Sequence, residues 1–138
     1  MKKLIIFLFL FIFSDSYSSE IQFEKIFDDL NKPWSLSFID KENVIITEKT
    51  GKLLTLNLKD KNIDEIKHNL SLISLGQGGL LDVLYKDNII YISYSENRGN
   101  WQTSTSVAKG IFDKKKIVFK NIFRADLWVD SGGYCGSG

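Results

Sequence analysis

After residue 19 the chain reads as short apolar-rich runs separated by polar, turn-forming residues. Residues 20–27 read E-I-Q-F-E-K-I-F, the pattern of a half-buried strand. Residues 34–39, 43–48 and 52–58 follow as short runs rich in Val, Ile, Leu, Thr or Phe. Turn-forming residues separate them at 40–43, 49–51 and 59–62. A weaker fourth strand is expected within residues 63–75. Nowhere do apolar residues keep i, i+3, i+4, i+7 spacing long enough to predict a helix. The pattern therefore predicts an all-β chain.

The pattern then begins again. A shift of 45 residues places Leu36 on Leu81, Lys41 on Lys86, Asn43 on Asn88 and Ile45 on Ile90. Phe38 on Val83, Ile39 on Leu84, Glu42 on Asp87 and Val44 on Ile89 are conservative pairs. The second unit is expected to continue with strands at 103–112 and 117–123, joined by the turn at 113–116. Two four-stranded units with this offset fit β-propeller blades, whose period is about 40–50 residues. Two unrelated hairpins that happen to look alike are the alternative. Propeller rings hold roughly 4–8 blades, each burying both faces against its neighbours. Two blades leave two apolar faces open, and residues 20–27 would complete the sheet of a blade not contained here. The chain is expected to be a fragment.

Residues 1–18 depart from this pattern. Lys2 and Lys3 precede the unbroken apolar run 4–13, and Ser16 and Ser18 stand at the −3 and −1 positions of a cleavage site. This is the layout of a secretory signal peptide. The rival is a membrane anchor, but ten apolar residues rise only about 15 Å as a helix, half of a ~30 Å hydrocarbon core. No stable membrane insertion is expected once the signal is removed. The organisation is thus a signal peptide at 1–18 and a propeller portion at 19–138.

Of 18 Lys and Arg, cleavage removes Lys2 and Lys3; of 17 Asp and Glu it removes Asp15, leaving 16 of each. A mature chain near zero net charge has no electrostatic footprint for nucleic acid or anionic lipid. The single cysteine, Cys135, excludes an internal disulfide. Gly76–Gly79 lacks the G-x-G-x-x-G spacing of a phosphate cradle and leads into a strand rather than a helix. His68, the only histidine, lies between the two units and reads as a solvated strand residue. Residues 96–101 read as a polar loop able to line an entrance, and Trp34 and Trp128 as core or inter-blade packing residues.

Three segments in order carry a family resemblance. They are Lys32-Pro33-Trp34-Ser35-Leu36 with Ile45-Ile46-Thr47-Glu48-Lys49-Thr50-Gly51, then Gly76-Gln77-Gly78-Gly79-Leu80-Leu81-Asp82, then Ser131-Gly132-Gly133-Tyr134-Cys135-Gly136-Ser137-Gly138. From about Phe27 onward the chain resembles the soluble PQQ-dependent sugar dehydrogenases, particularly the aldose sugar dehydrogenase branch. The resemblance implies a six-bladed propeller about three times this length, exported to the periplasm or secreted, that binds PQQ and calcium. It implies oxidation of an aldose at its anomeric carbon. In the family a histidine takes the hydroxyl proton, hydride passes to the quinone, and electrons leave to an external acceptor.

Two positions carry over by motif. Gln77 matches the family's glutamine beside cofactor and substrate, where an amide offers both a donor and an acceptor. Residue chemistry alone favours a polar turn residue before a buried strand, and it is the family match that turns the reading toward a site. The third motif of the family reads G-H-[F/Y]-G-S-R; anchored on Gly136-Ser137, this chain has Tyr134 for the histidine, Cys135 for the aromatic and Gly138 for the arginine. A tyrosine with an ordinary pKa of ~10 is a poor base at neutral pH. Either the end of the reading frame is altered, or the chain is an inactive relative. The family's calcium ligands fall beyond Gly138. The alternative function is a non-catalytic secreted propeller that binds carbohydrate or protein, since propellers host many functions.

Overall fold

The computed structural model describes residues 21–100, 102–126, 129 and 130. The signal-peptide reading, Trp101, Trp128, Tyr134 and Cys135 fall outside these residues. Ten strands and no helix form among the described residues. β1 (Pro33–Phe38), β2 (Asn43–Glu48), β3 (Leu53–Asn57) and β4 (Ile63–His68) make an antiparallel meander. β5 (Leu80–Lys86), β6 (Ile89–Gly99) and β7 (Gln102–Ile111) make a second. The far edge of β7 is shared by β9 (Lys120–Arg124) and β10 (Val129–Asp130), which together supply the fourth strand. These are the two expected blades.

β2 explains why the sheets stack. Its sequence N-V-I-I-T-E is buried on both sides. Ile45 joins Leu53 and Ile66 in facing the second sheet, where Leu80, Val83, Ile90, Ile92, Tyr94 and Ala108 complete one core. Val44 and Ile46 face the other way with Leu54 and Leu56. Polar groups tie the sheets together where β1 and β5 lie side by side. Val83 and Tyr85 N–H donate to Ser35 Oγ and Ser37 Oγ at 3.4 and 3.0 Å. The fully buried Thr47 hydroxyl donates to the Leu81 carbonyl at 2.6 Å.

The hairpins correct the repeat register. Ile45 and Ile90 do occupy equivalent places, but Ile45 pairs with Ser37 and Ile90 with Tyr85, residues 48 apart. The first hairpin turns through Asp40, whose Oδ1 accepts the Glu42 and Asn43 N–H groups at 2.8 Å. The second uses only Asp87 and Asn88, both at positive φ (51° and 63°), as a tight two-residue turn requires. The difference slips the first strands by three residues, and an odd slip exchanges the faces of a strand. Leu36 is accordingly 56% exposed whereas Leu81, its partner under the 45-residue shift, is 4% exposed.

Three further expectations change. Residues 21–30 form no strand: Ile21 and Phe23 stand in solvent, while Phe27 and Leu30 pack on the outer face of the first blade. Alternation makes a strand only where a sheet edge accepts its hydrogen bonds, and the sheet that these residues would complete is not one of the two formed by β1 to β10. The outer edge of β4 is taken by β8 (Lys116–Ile117), which pairs parallel with Lys67–His68. The expected strand at 117–123 is therefore divided between the two sheets. Finally, residues 96–99 continue β6 rather than opening a loop. Trp34 fills no core within these two blades: it lies 43% exposed with Leu36 and Phe38 on the outer face of the first, the face that a further blade would pack against.

Candidate functional site

The loops that gather at one end of the two sheets precede β1, join β2 to β3, and join β4 to β5. Gln77 stands there. Residues 75–78 form a tight turn closed by Gly78 N–H donating to the Leu75 carbonyl at 2.8 Å, with Gly76 at φ +55°. Gln77 projects from this turn exposed, and its amide makes no hydrogen bond among the described residues.

The turn is held from both blades. From the first, the Lys49 carbonyl accepts Leu80 N–H at 3.1 Å, and the Lys49 ammonium donates to the Gly76 carbonyl. From the second, Ser95 Oγ accepts Gly79 N–H at 3.1 Å, and Ser95 N–H donates to the Gly79 carbonyl at 2.8 Å. Gly79 has φ +153°, and a Cβ there would lie 2.2 Å from the Lys49 carbonyl oxygen. The last glycine of G-Q-G-G is therefore dictated by close packing between blades as well as by the turn.

Two buried carboxylates lie near this end. Glu48 ends β2, 3% exposed; its Oε1 accepts Asn31 N–H at 2.6 Å, and its Oε2 has no partner among the described residues. Glu96 is the hub of a closed network. It accepts from Ser106 Oγ at 2.6 Å, Arg124 at 2.8 Å and Asn121 at 3.0 Å, with Arg98 at 3.4 Å. Burial alone raises the Glu96 pKa, but the Ser106 hydroxyl and the Arg124 guanidinium outweigh it and hold the carboxyl below its ordinary value. Tyr94 extends the network by donating to Asn121 at 2.8 Å.

His68 is engaged rather than solvated. Leu70 N–H donates to its Nδ1 at 3.3 Å, so the proton is on Nε2, which donates to the Gly51 carbonyl at 2.7 Å. It braces the β2–β3 turn and offers no free base. At the opposite end of the first blade a cavity of about 220 Å³ is lined by Asp40, Asp60, Asp64 and amides. Among the described residues no group of three or more His, Cys, Asp or Glu side chains could hold a metal ion.

Of the two site residues expected from sequence, Gln77 thus lies in a braced, accessible loop, and Tyr134 falls outside the described residues. Sequence reasoning missed Lys49 and Ser95. Lys49 read as a turn residue within the first family-like segment, and no local signal shows that it reaches a carbonyl 27 residues away.

Comparison with known proteins adds to this geometry. The sequence profile of the glucose/sorbosone dehydrogenase family matches residues 30–138. A solved glucose dehydrogenase superposes with TM-score 0.70 at 31% identity, over 75% of this chain and 35% of that one. The soluble aldose sugar dehydrogenase of Escherichia coli, solved in its apo form, gives TM-score 0.67 at 28% identity, over 75% and 32%. The PQQ-bound aldose sugar dehydrogenase of Streptomyces coelicolor shares the fold, with TM-score 0.65 at 15% identity over 74% and 33%. The chain spans about a third of the length of these proteins. With its two stacked propeller blades and a profile match over 109 of its 138 residues (30 through 138), this chain belongs to the glucose/sorbosone dehydrogenase family.

Proposed function

We propose that this chain contributes the Gln77 edge of a site where PQQ and an aldose meet, as part of an exported PQQ-dependent sugar dehydrogenase. The observation that carries the reading is the exposed Gln77 amide, unengaged among the described residues and mounted on a turn pinned by two blades. An amide so placed can donate to a quinone or carboxylate oxygen and accept from a sugar hydroxyl at once. The pinned backbone means that little conformational freedom is lost on binding. These residues fit one edge of a cofactor site. PQQ, when bound, would supply the electron-accepting quinone that takes hydride from the anomeric carbon and passes electrons to an external acceptor. Calcium belongs to the same reading through the family resemblance, with no ligand assigned among the described residues. The signal-like residues 1–18 support a periplasmic or secreted location.

Tyr134 stands where the family's general base is expected. A phenol of ordinary pKa ~10 keeps its proton at neutral pH, so the chain should bind without turning over sugar. That substitution also supports a second reading, a non-catalytic propeller that binds carbohydrate or protein.

The test is a titration of the chain with PQQ in the presence of calcium, followed by quinone absorbance. Saturable binding is expected, weakened about fivefold or more by Gln77→Ala, the effect of one net hydrogen bond. No saturation, or equal affinity in the variant, would overturn the cofactor reading. Binding of an aldose to a chain that ignores PQQ would establish the binder instead.

A further inference from the structure

We propose that Lys49 is a positioning residue for Gln77, holding the tip of its turn from the neighbouring blade; this rests on the reading of Gln77 as a site residue. Lys49 acts on the loop at both ends. Its backbone carbonyl takes Leu80 N–H at 3.1 Å, anchoring the base of the loop where β5 begins. Its side chain runs past Gly79, where only the absence of a Cβ leaves room: an added Cβ would lie 2.8 Å from Lys49 Cγ. The ammonium then reaches the Gly76 carbonyl, one residue before Gln77.

The base of the loop has other restraints. Ser95 holds Gly79 through its hydroxyl and its backbone N–H, and Ser95 O accepts Ile73 N–H at 3.0 Å. The tip has fewer. Leu75, Gly76 and Gln77 are all exposed, and the turn itself is closed by the single Gly78 N–H bond to Leu75 O. The Lys49 ammonium is thus the restraint that fixes where the Gln77 amide points, and it comes from the first blade although β5 begins the second. The orientation of Gln77 is coupled to the packing of one blade on the other.

The arrangement predicts a local effect. Lys49→Met keeps the aliphatic stem against Gly79 and the backbone carbonyl under Leu80 but removes the donor to Gly76. Lys49→Arg keeps a donor of similar reach. Amide hydrogen exchange of the chain, read residue by residue, should be about fivefold faster at Gly78 in Lys49→Met, the loss of roughly one net hydrogen bond. Leu80 and Ser95 should be unchanged, and Lys49→Arg should restore Gly78 to within about twofold, because a charged donor is again present. PQQ affinity should fall by a factor similar to the exchange effect in Lys49→Met and recover in Lys49→Arg. Unchanged exchange at Gly78, or an equal rise at Gly78, Leu80 and Ser95, would overturn the positioning role. If the wild-type chain binds no PQQ, the cofactor reading fails while the exchange pattern still decides the role of Lys49.

Discussion

Replacing Gly79 with alanine tests how closely the two blades approach beneath Gln77. The new Cβ would sit 2.2 Å from the Lys49 carbonyl oxygen, whereas ordinary contact begins near 3.4 Å, so the strands must part by more than 1 Å or the loop must rotate. Three hydrogen bonds depend on the present spacing: Leu80 N–H to Lys49 O, Gly79 N–H to Ser95 Oγ, and Ser95 N–H to Gly79 O. Losing two of them costs about 2 kcal/mol, and forcing alanine to positive φ adds about 1 kcal/mol. A total of about 3 kcal/mol corresponds to a fall in Tm of roughly 12–24 °C for a unit of this size. Gly76→Ala is the internal control. It too has positive φ (+55°), but nothing lies within 4 Å of its added Cβ. Only the backbone cost of about 1 kcal/mol should remain, a fall of roughly 4–8 °C. Thermal unfolding followed by near-ultraviolet circular dichroism measures both. Equal losses in the two variants would refute the packing argument, because both glycines have positive φ but only Gly79 lacks room for a Cβ.

The Glu96 network predicts a pH dependence. Its folded-state pKa is held below the unfolded value, so its contribution to stability is fully present above about pH 4.3 and is lost as pH falls through the lower folded pKa. Urea denaturation between pH 3 and 7 should show a shallower acid-side slope for Glu96→Gln than for the wild type; identical slopes would contradict the network. Burial separates the two blade faces in the same way. Ile45→Ala, fully buried between the blades, should cost about 2–4 kcal/mol, while Leu36→Ser on the open face should stay within about 0.5 kcal/mol. Comparable losses at the two positions in chemical denaturation would mean that the outer face of the first blade is covered in solution.

Much of the chain was legible from its pattern. Apolar runs and turn residues located β1, β2, β3 and β7 to within a few residues, and the repeat placed the hairpin of β5 and β6, because a strand with a buried face must carry apolar residues and a tight turn needs residues that tolerate it. The G-Q-G-G-L-L-D segment singled out Gln77 as a candidate through its match to the family's motif, and the loop that carries it is the one braced by both blades. Other features depended on partners distant in sequence. Residues 20–27 alternate in sequence as well as any true strand, yet the described residues from 21 onward pair with neither sheet, and only Phe27 of them packs, with Leu30, on the first blade. The repeat offset looked uniform in sequence, but turn geometry slipped the first strands by three residues and sent Leu36 to solvent and Leu81 to the core. His68, Glu96 and Lys49 read as ordinary polar residues until the strands stacked. Alternation and turn chemistry act within a few bonds and are written locally. Hydrogen bonds such as those of Glu96 to Arg124, or of Lys49 to Gly76, join residues 28 and 27 apart, and only the packed sheets bring them within reach.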